Sequence, residues 1–265
     1  MRLAFIANND LPGLEADARF AAQHGFAGLE FNYWGDFAQL ERETVVEMRR
    51  VLDRHGVGCC MLGLWGWNHL APDPQERATA HAMLQRAIEY AGLLGAEVLT
   101  TGGGVAVPGN LQANVDEFLG VFPPFLDAAH AAGLATAFYA VHGNSFFDTL
   151  DAYEAVWEHR PEVTIKYDPA NWQHAGEDYL AVVRRHGDKV GHVHIKEHLY
   201  HAGDLASQPA AGMGDIEWGK VMAFLYEHAY SGYLSFEPHG PLWSRPPLRE
   251  KMLLLSRKHL DQFLL

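Results

Sequence analysis

Residues 190–198 read VGHVHIKEH, with His192, His194 and Lys196 at every second position and Val193 and Ile195 between them. Successive side chains of a β-strand point to opposite faces, so the three polar residues share one side and the two β-branched residues the other. A strand buried on both faces normally reads as a near-continuous apolar run, so this one borders either a polar cavity or solvent. Similar short runs recur along the chain at RLAFIA (2–7), AGLEF (27–31), VGCCMLGL (57–64), EVLTTGG (97–103), LATAFYAVH (134–142), VTIKYD (163–168) and GYLSFE (232–237). Between them lie segments of helical period, such as TVVEMRRVLDRH, ATAHAMLQRAIEYAGLLG and DEFLGVFPPFLDAAHAAG, several closed by a glycine where a helix C-cap belongs. Strands alternating with helices imply parallel pairing through crossovers, and eight such units predict an α/β fold, a (β/α)8 TIM barrel forming a single domain over residues 1–265. The competing doubly wound sheet lacks its fingerprint, because NNDLPG rather than G-x-G-x-x-G follows the first strand.

Composition narrows the function. A length of 265 residues with 48% hydrophobic content suits one large core. Only 20 basic residues face 33 acidic ones, a net charge of −13 that opposes phosphate-backbone binding, so no nucleic-acid partner is expected and a nuclease reading loses weight. Cys59 and Cys60 are adjacent and would point to opposite faces of a strand, which rules out a disulfide framework and fits a cytoplasmic location. No run approaches the roughly 18 apolar residues of a membrane span, and no cleavage site follows the short apolar N-terminal run, so neither membrane nor export is expected.

In a TIM barrel, polar residues at the C-terminal ends of strands converge on one mouth. Those residues here are Glu30, Asn32, Trp65, Trp67, Thr101, His142, Lys166, Asp168, His194, Lys196, Glu237 and His239. Asp168, His194, Glu237 and His142 mix carboxylate and imidazole donors in a way that suits Mn²⁺, Co²⁺, Zn²⁺ or Mg²⁺. Carboxylates crowded into a barrel mouth without a cation would repel one another. Trp65 and Trp67, flanked by Gly66, Asn68 and His69, offer apolar ring faces to a ligand at the mouth, or pack in the core. Glu30 bonds a substrate hydroxyl or caps buried backbone; Lys166 and Lys196 either pair with carboxylates or neutralise an oxyanion or a phosphate group. His192 reads as a hydrogen-bonded core histidine. TTGGG (100–104) reads as a tight βα turn, since no Lys-Ser/Thr follows at P-loop spacing. The segment 198–214, long and rich in small residues, reads as a mobile flap carrying His201 and Asp204.

The segments KYDPAN (166–171), VGHVHIKE (190–197), GMGDIEW (212–218) and YSGYLSFEPH (230–239), supported by GFAGLEF (25–31) and TTGGG, resemble the xylose-isomerase-like TIM barrels, the sugar phosphate isomerase/epimerase group. The resemblance implies a divalent metal, Mn²⁺ foremost, held by a Glu on the fifth strand, an Asp on the sixth, a His on the seventh and a Glu on the eighth. It assigns the last three roles to Asp168, His194 and Glu237. The fifth strand departs from the pattern, because Tyr139, Ala140, Val141 and His142 offer no carboxylate. His142 either supplies the fourth donor or binds substrate. Glu237 is then the one evident member of the glutamate pair that family epimerases use. The expected function is a metal-dependent sugar or keto-sugar isomerase or epimerase. Glu237, His142 and Lys196 would be catalytic; Glu30, Asn32, Trp65, Trp67, His69, Lys166, Asn171 and His239 would bind the carbohydrate; the protein would act alone or as a homo-oligomer. The alternatives are a lyase, either a dehydratase or a 3-keto-glycoside deglycosidase, and a non-catalytic sugar-binding barrel.

Overall fold

The apolar runs separated by helical segments are the strands of a closed parallel barrel. A computed structural model describes residues 1–139 and 145–265. Its strands are β1 (Arg2–Ile6), β2 (Gly28–Tyr33), β3 (Gly58–Leu64), β4 (Ala96–Thr101), β5 (Ala135–Phe138), β6 (Thr164–Tyr167), β7 (Val190–Ile195), β8 (Leu199–His201), β9 (Asp204–Ser207) and β10 (Tyr233–Phe236). Among the described residues, all but β8 and β9 pair in chain order, and β10 closes the ring on β1 with Phe5 opposite Phe236. The helices are α1 (Leu11–Gln23), α2 (Arg42–His55), α3 (Pro74–Leu94), α4 (Leu111–Val121), α5 (Pro123–Ala131), α6 (Leu150–Trp157), α7 (Pro169–His174), α8 (Tyr179–His186), α9 (Trp218–Glu227) and α10 (Leu248–Leu260).

Local signals set the helix ends. Asp10, Asp73, Asn110 and Asp178 each accept the backbone N–H three residues on, which satisfies one of the orphan donors of the first turn. DEFLGVFPPFLDAAHAAG is not the one helix its period suggests but parts of two, α4 and α5, broken at Phe122. Pro123 and Pro124 lack the N–H a helix interior needs and clash with the carbonyl four residues back; at the start of a new helix that lack is harmless.

The alternation in β7 separates two environments. Val193 and Ile195 join the main core between barrel and helices, whereas His192 and His194 are buried on the inner side. Cys59 and Cys60 divide the same way, Cys59 outward and Cys60 inward, and both are free thiols. Ala4, Cys60, Val98, Ala137 and Tyr233 fill the barrel interior with apolar contacts, so polar chemistry is confined to the layers nearer the mouth. The TTGGG turn is a packing device. Gly104 has φ +83°, and a Cβ there would stand 2.6 Å from the Leu70 nitrogen. The segment read as a flap contains the antiparallel hairpin β8–β9. No described helix is long and apolar enough to cross a membrane.

Candidate active site

Three adjacent strands, β6, β7 and β10, end side by side at the mouth. Asp168 directly follows β6 and caps α7: its Oδ1 accepts the Asn171 N–H at 3.1 Å, and its Oδ2 accepts Asn171 Nδ2 at 2.9 Å. The order Asp-Pro-Ala-Asn writes that geometry locally, with an Asp cap, a Pro in the first helical position and an Asn whose side chain reaches back. His194 comes from the inner face of β7. Glu237 follows β10, its N–H donating to the Ile195 carbonyl at 3.0 Å. One donor atom each from Asp168, His194 and Glu237 lie within 4.8 Å of one another.

The contacts around this trio are charged and buried. His194 Nδ1 is 2.8 Å from Glu237 Oε2 and 3.6 Å from Asp168 Oδ2, while its Nε2 is 2.7 Å from Glu30 Oε1. The other oxygen of Glu30 lies 2.8 Å from His192 Nε2. Lys166 Nζ stands 3.5 Å from Asp168 Oδ2 and 3.8 Å above the Tyr139 ring. Lys196 Nζ is 3.5 Å from Glu237 Oε1, and His239 Nδ1 is 3.0 Å from that same oxygen.

These neighbours overturn what burial alone would do. Burial opposes charge on His194, yet Glu30, with Asp168 and Glu237, outweighs both burial and Lys166 and pulls its pKa up to about 10. Burial would raise the carboxyls, but Lys166, His194 and Lys196 hold Asp168 below the usual range. Lys196, His194 and His239 do the same for Glu237, and His194 with His192 for Glu30. Burial lowers Lys196, and Glu237 and Asp168 more than restore it.

The donor set fits a divalent cation: two carboxylates and one imidazole converge, and His194 turns Nδ1 toward them while Nε2 is held from behind. A second group of comparable span, Glu30, Cys60 and His192, suits one poorly. Burial pushes the Cys60 thiol well above its usual range, so it stays protonated, and both Glu30 oxygens are already shared with histidines.

A cavity of about 750 Å³ opens over the trio. Of the residues read from sequence, Asn32, Trp65, Lys166, Asn171, His194, Lys196, Glu237 and His239 line it. Asp168 is fully buried beneath it. Three expected substrate residues do not line it. Glu30 is fully buried, its carboxylate used by His192, His194 and Asn32. His69 is also fully buried, its Nε2 2.9 Å from Thr101 Oγ1, and Trp67 packs against the main core. His142, the candidate fourth ligand and acid/base, and Ala140 lie outside the described residues. Tyr139 is described, and its ring, not a carboxylate, faces Lys166.

Asn8, Asn9, Trp34, His174, Leu205 and Gln208 line the cavity without having been singled out. Asn8 and Asn9 lie two and three residues past the end of β1, so the strand-end rule applied to the other strands finds them. Leu205 and Gln208 come from the hairpin and its exit, which no strand-end rule reaches. Glu197, just after β7, anchors the loop that returns from the hairpin. Its carboxylate accepts the N–H groups of Gly212 and Ile216, both at 3.0 Å, and Trp218 Nε1 at 2.9 Å, tying the returning loop to the end of β7.

The sequence profile of the family described as xylose isomerase-like TIM barrel matches residues 18–258. No curated protein matches the chain by sequence. Among solved structures, an L-ribulose 3-epimerase superposes with a TM-score of 0.81 at 17% identity, covering 99% of this chain and 94% of its own. A D-allulose 3-epimerase from Methylomonas sp. in complex with D-allulose gives 0.77 at 18% identity, with coverage of 99% and 96%. The IOLI protein with a bound zinc atom gives 0.79 at 16% identity, with coverage of 100% and 98%.

Proposed function

Because the chain belongs to the xylose isomerase-like TIM-barrel family, we propose that it is a divalent-metal-dependent isomerase or epimerase of a sugar or keto-sugar, removing the proton next to a carbonyl. The observation that carries this reading is the meeting of Asp168, His194 and Glu237 at the floor of a 750 Å³ cavity lined by amides, indoles and two lysines. The two epimerases and the zinc in IOLI support the substrate class and the need for an ion, with Mn²⁺ the first expectation and Co²⁺, Mg²⁺ or Zn²⁺ its substitutes. An ion held by the three residues would polarise a substrate carbonyl and acidify the adjacent C–H.

The chain's own groups do the rest. Glu237 Oε1 faces Lys196 and His239, and this carboxylate takes the proton from carbon. Lys196 keeps Glu237 ionised and steadies the negative charge that grows on the substrate oxygen. His239, half exposed, gives the proton a route toward solvent. Trp65 is fixed by its Nε1–H donating to Asn32 Oδ1 at 2.7 Å, so its ring is presented rigidly to sugar C–H groups. Asn171 and Lys166, both in the cavity wall, meet hydroxyls beside Asp168.

One observation favours a second reading. Among the described residues lining the cavity, Glu237 is the one carboxylate, which suits a lyase, a dehydratase or a 3-keto-glycoside deglycosidase, with one principal base. Incubation with ketoses, aldoses and 3-keto glycosides in D₂O with Mn²⁺ separates the readings. An isomerase or epimerase places solvent deuterium on the carbon that loses its proton; a lyase releases a dehydrated or cleaved product. A protein that binds sugar and does neither overturns the enzyme reading.

A further inference from the structure

We infer that Glu30 is a positioning residue for the metal-binding histidine, linking the substrate-facing wall of the cavity to the cation site through one hydrogen-bond chain. The inference rests on the metal reading above. Glu30 sits on β2 and reaches His192 and His194 on β7 across the barrel interior, since β1 and β10 separate those strands in the ring. It is fully buried and lines no part of the cavity, so it cannot meet substrate. Its two oxygens divide between two rings of one strand face, His194 Nε2 at 2.7 Å and His192 Nε2 at 2.8 Å.

A carboxylate only accepts, so each of these nitrogens donates an N–H. An imidazole ligates an ion through the nitrogen that carries no proton, and the bond made by the other nitrogen decides which one that is. With Nε2–H committed to Glu30, the nitrogen left for an ion is Nδ1, which faces Asp168 and Glu237. Glu30 is itself held: Asn32 Nδ2 donates to its Oε1 at 2.7 Å, and Asn32 Oδ1 accepts from Trp65 Nε1 at 2.7 Å. The order Trp65, Asn32, Glu30, His194 thus runs from a ring that touches the cavity to the ligand nitrogen.

The test is calorimetric titration of Mn²⁺ into the full chain, wild type against Glu30→Gln and Glu30→Met, alongside thermal unfolding of the metal-free proteins. Glu30→Gln keeps the volume and removes the charge, and Mn²⁺ affinity is expected to fall about 10- to 100-fold, as when other partners behind a metal-bound histidine are lost. Glu30→Met removes the acceptor and falls at least as far; if that variant does not fold, Glu30→Gln still decides. A merely structural role would lower the unfolding temperature and leave the affinity of the folded protein alone. Wild-type affinity in Glu30→Gln overturns the positioning role while the metal reading stands. A wild type that takes up no Mn²⁺ overturns both.

Discussion

His69 and His194 are both shut away from solvent at the mouth of the same barrel, and their charges are driven in opposite directions. His69, in the loop after β3, touches the Thr101 hydroxyl; burial, with His81 adding to it, pushes its pKa down to about 3. His194, on β7, touches Glu30, Asp168 and Glu237 and is pulled up to about 10. Burial is the largest influence on each and has the same sign in both. What differs is the partner, and that decides the outcome: the surroundings of His69 on β3 and β4 are neutral and packed, whereas the ends of β6, β7 and β10 bring buried carboxylates and ammonium groups together.

The sharpest way to break this contrast is on the charged side. Lys196→Met leaves Glu237 without its ammonium partner, and turnover should drop about 10²-fold, the scale of losing one aimed electrostatic group. Steady-state kinetics on the substrate found by the D₂O screen measures it, and an unchanged turnover would move Lys196 to a purely structural role.

A smaller effect tests His194 itself. The surrounding carboxylates favour the doubly protonated ring, so an ion taken up at Nδ1 near neutral pH should displace about one proton, and affinity should rise with pH through that range. Calorimetry in buffers of different ionisation enthalpy counts that proton. For the metal-free protein the sign runs the other way. The folded-state pKa lies above the ordinary 6.5, so the stabilisation from charged His194 is complete below about pH 6.5 and fades as the pH rises toward about 10. A metal-free unfolding midpoint that holds flat across that window would show that the carboxylates do not grip the ring. The smallest effect belongs to the neutral wall. His69→Leu removes one buried hydrogen bond, costing about 1–3 kcal/mol of stability while changing turnover less than about twofold. A large loss of turnover would return His69 to the substrate site.

How far the sequence could be read follows from the same contrast. Alternation in VGHVHIKEH and its counterparts is a local property, so the barrel and the inward face of His192 and His194 were legible. Asp168 was legible as a strand-end donor because it closes the run VTIKYD, and Asp-Pro-Ala-Asn encodes its cap locally. Glu30 was placed at the mouth but assigned to substrate, because nothing near it in sequence shows that its partners stand 162 and 164 residues away. Trp67 and His69 share the loop that follows Trp65; only three-dimensional packing puts Trp65 on the cavity wall, lays Trp67 against the core and buries His69. Glu197 directly precedes the segment read as a flap, and its work as an anchor depends on Gly212, Ile216 and Trp218 folding back onto it.

Metal content is the most decisive observable, because every step assigned to Glu237 and Lys196 presupposes an ion beside them. Elemental analysis of the chain purified with Mn²⁺ should find about one divalent ion per wild-type chain, and most of it missing from His194→Ala and from Glu237→Gln, each of which removes one of three converging donors. Equal metal in all three proteins would contradict the assignment of Asp168, His194 and Glu237 as the site.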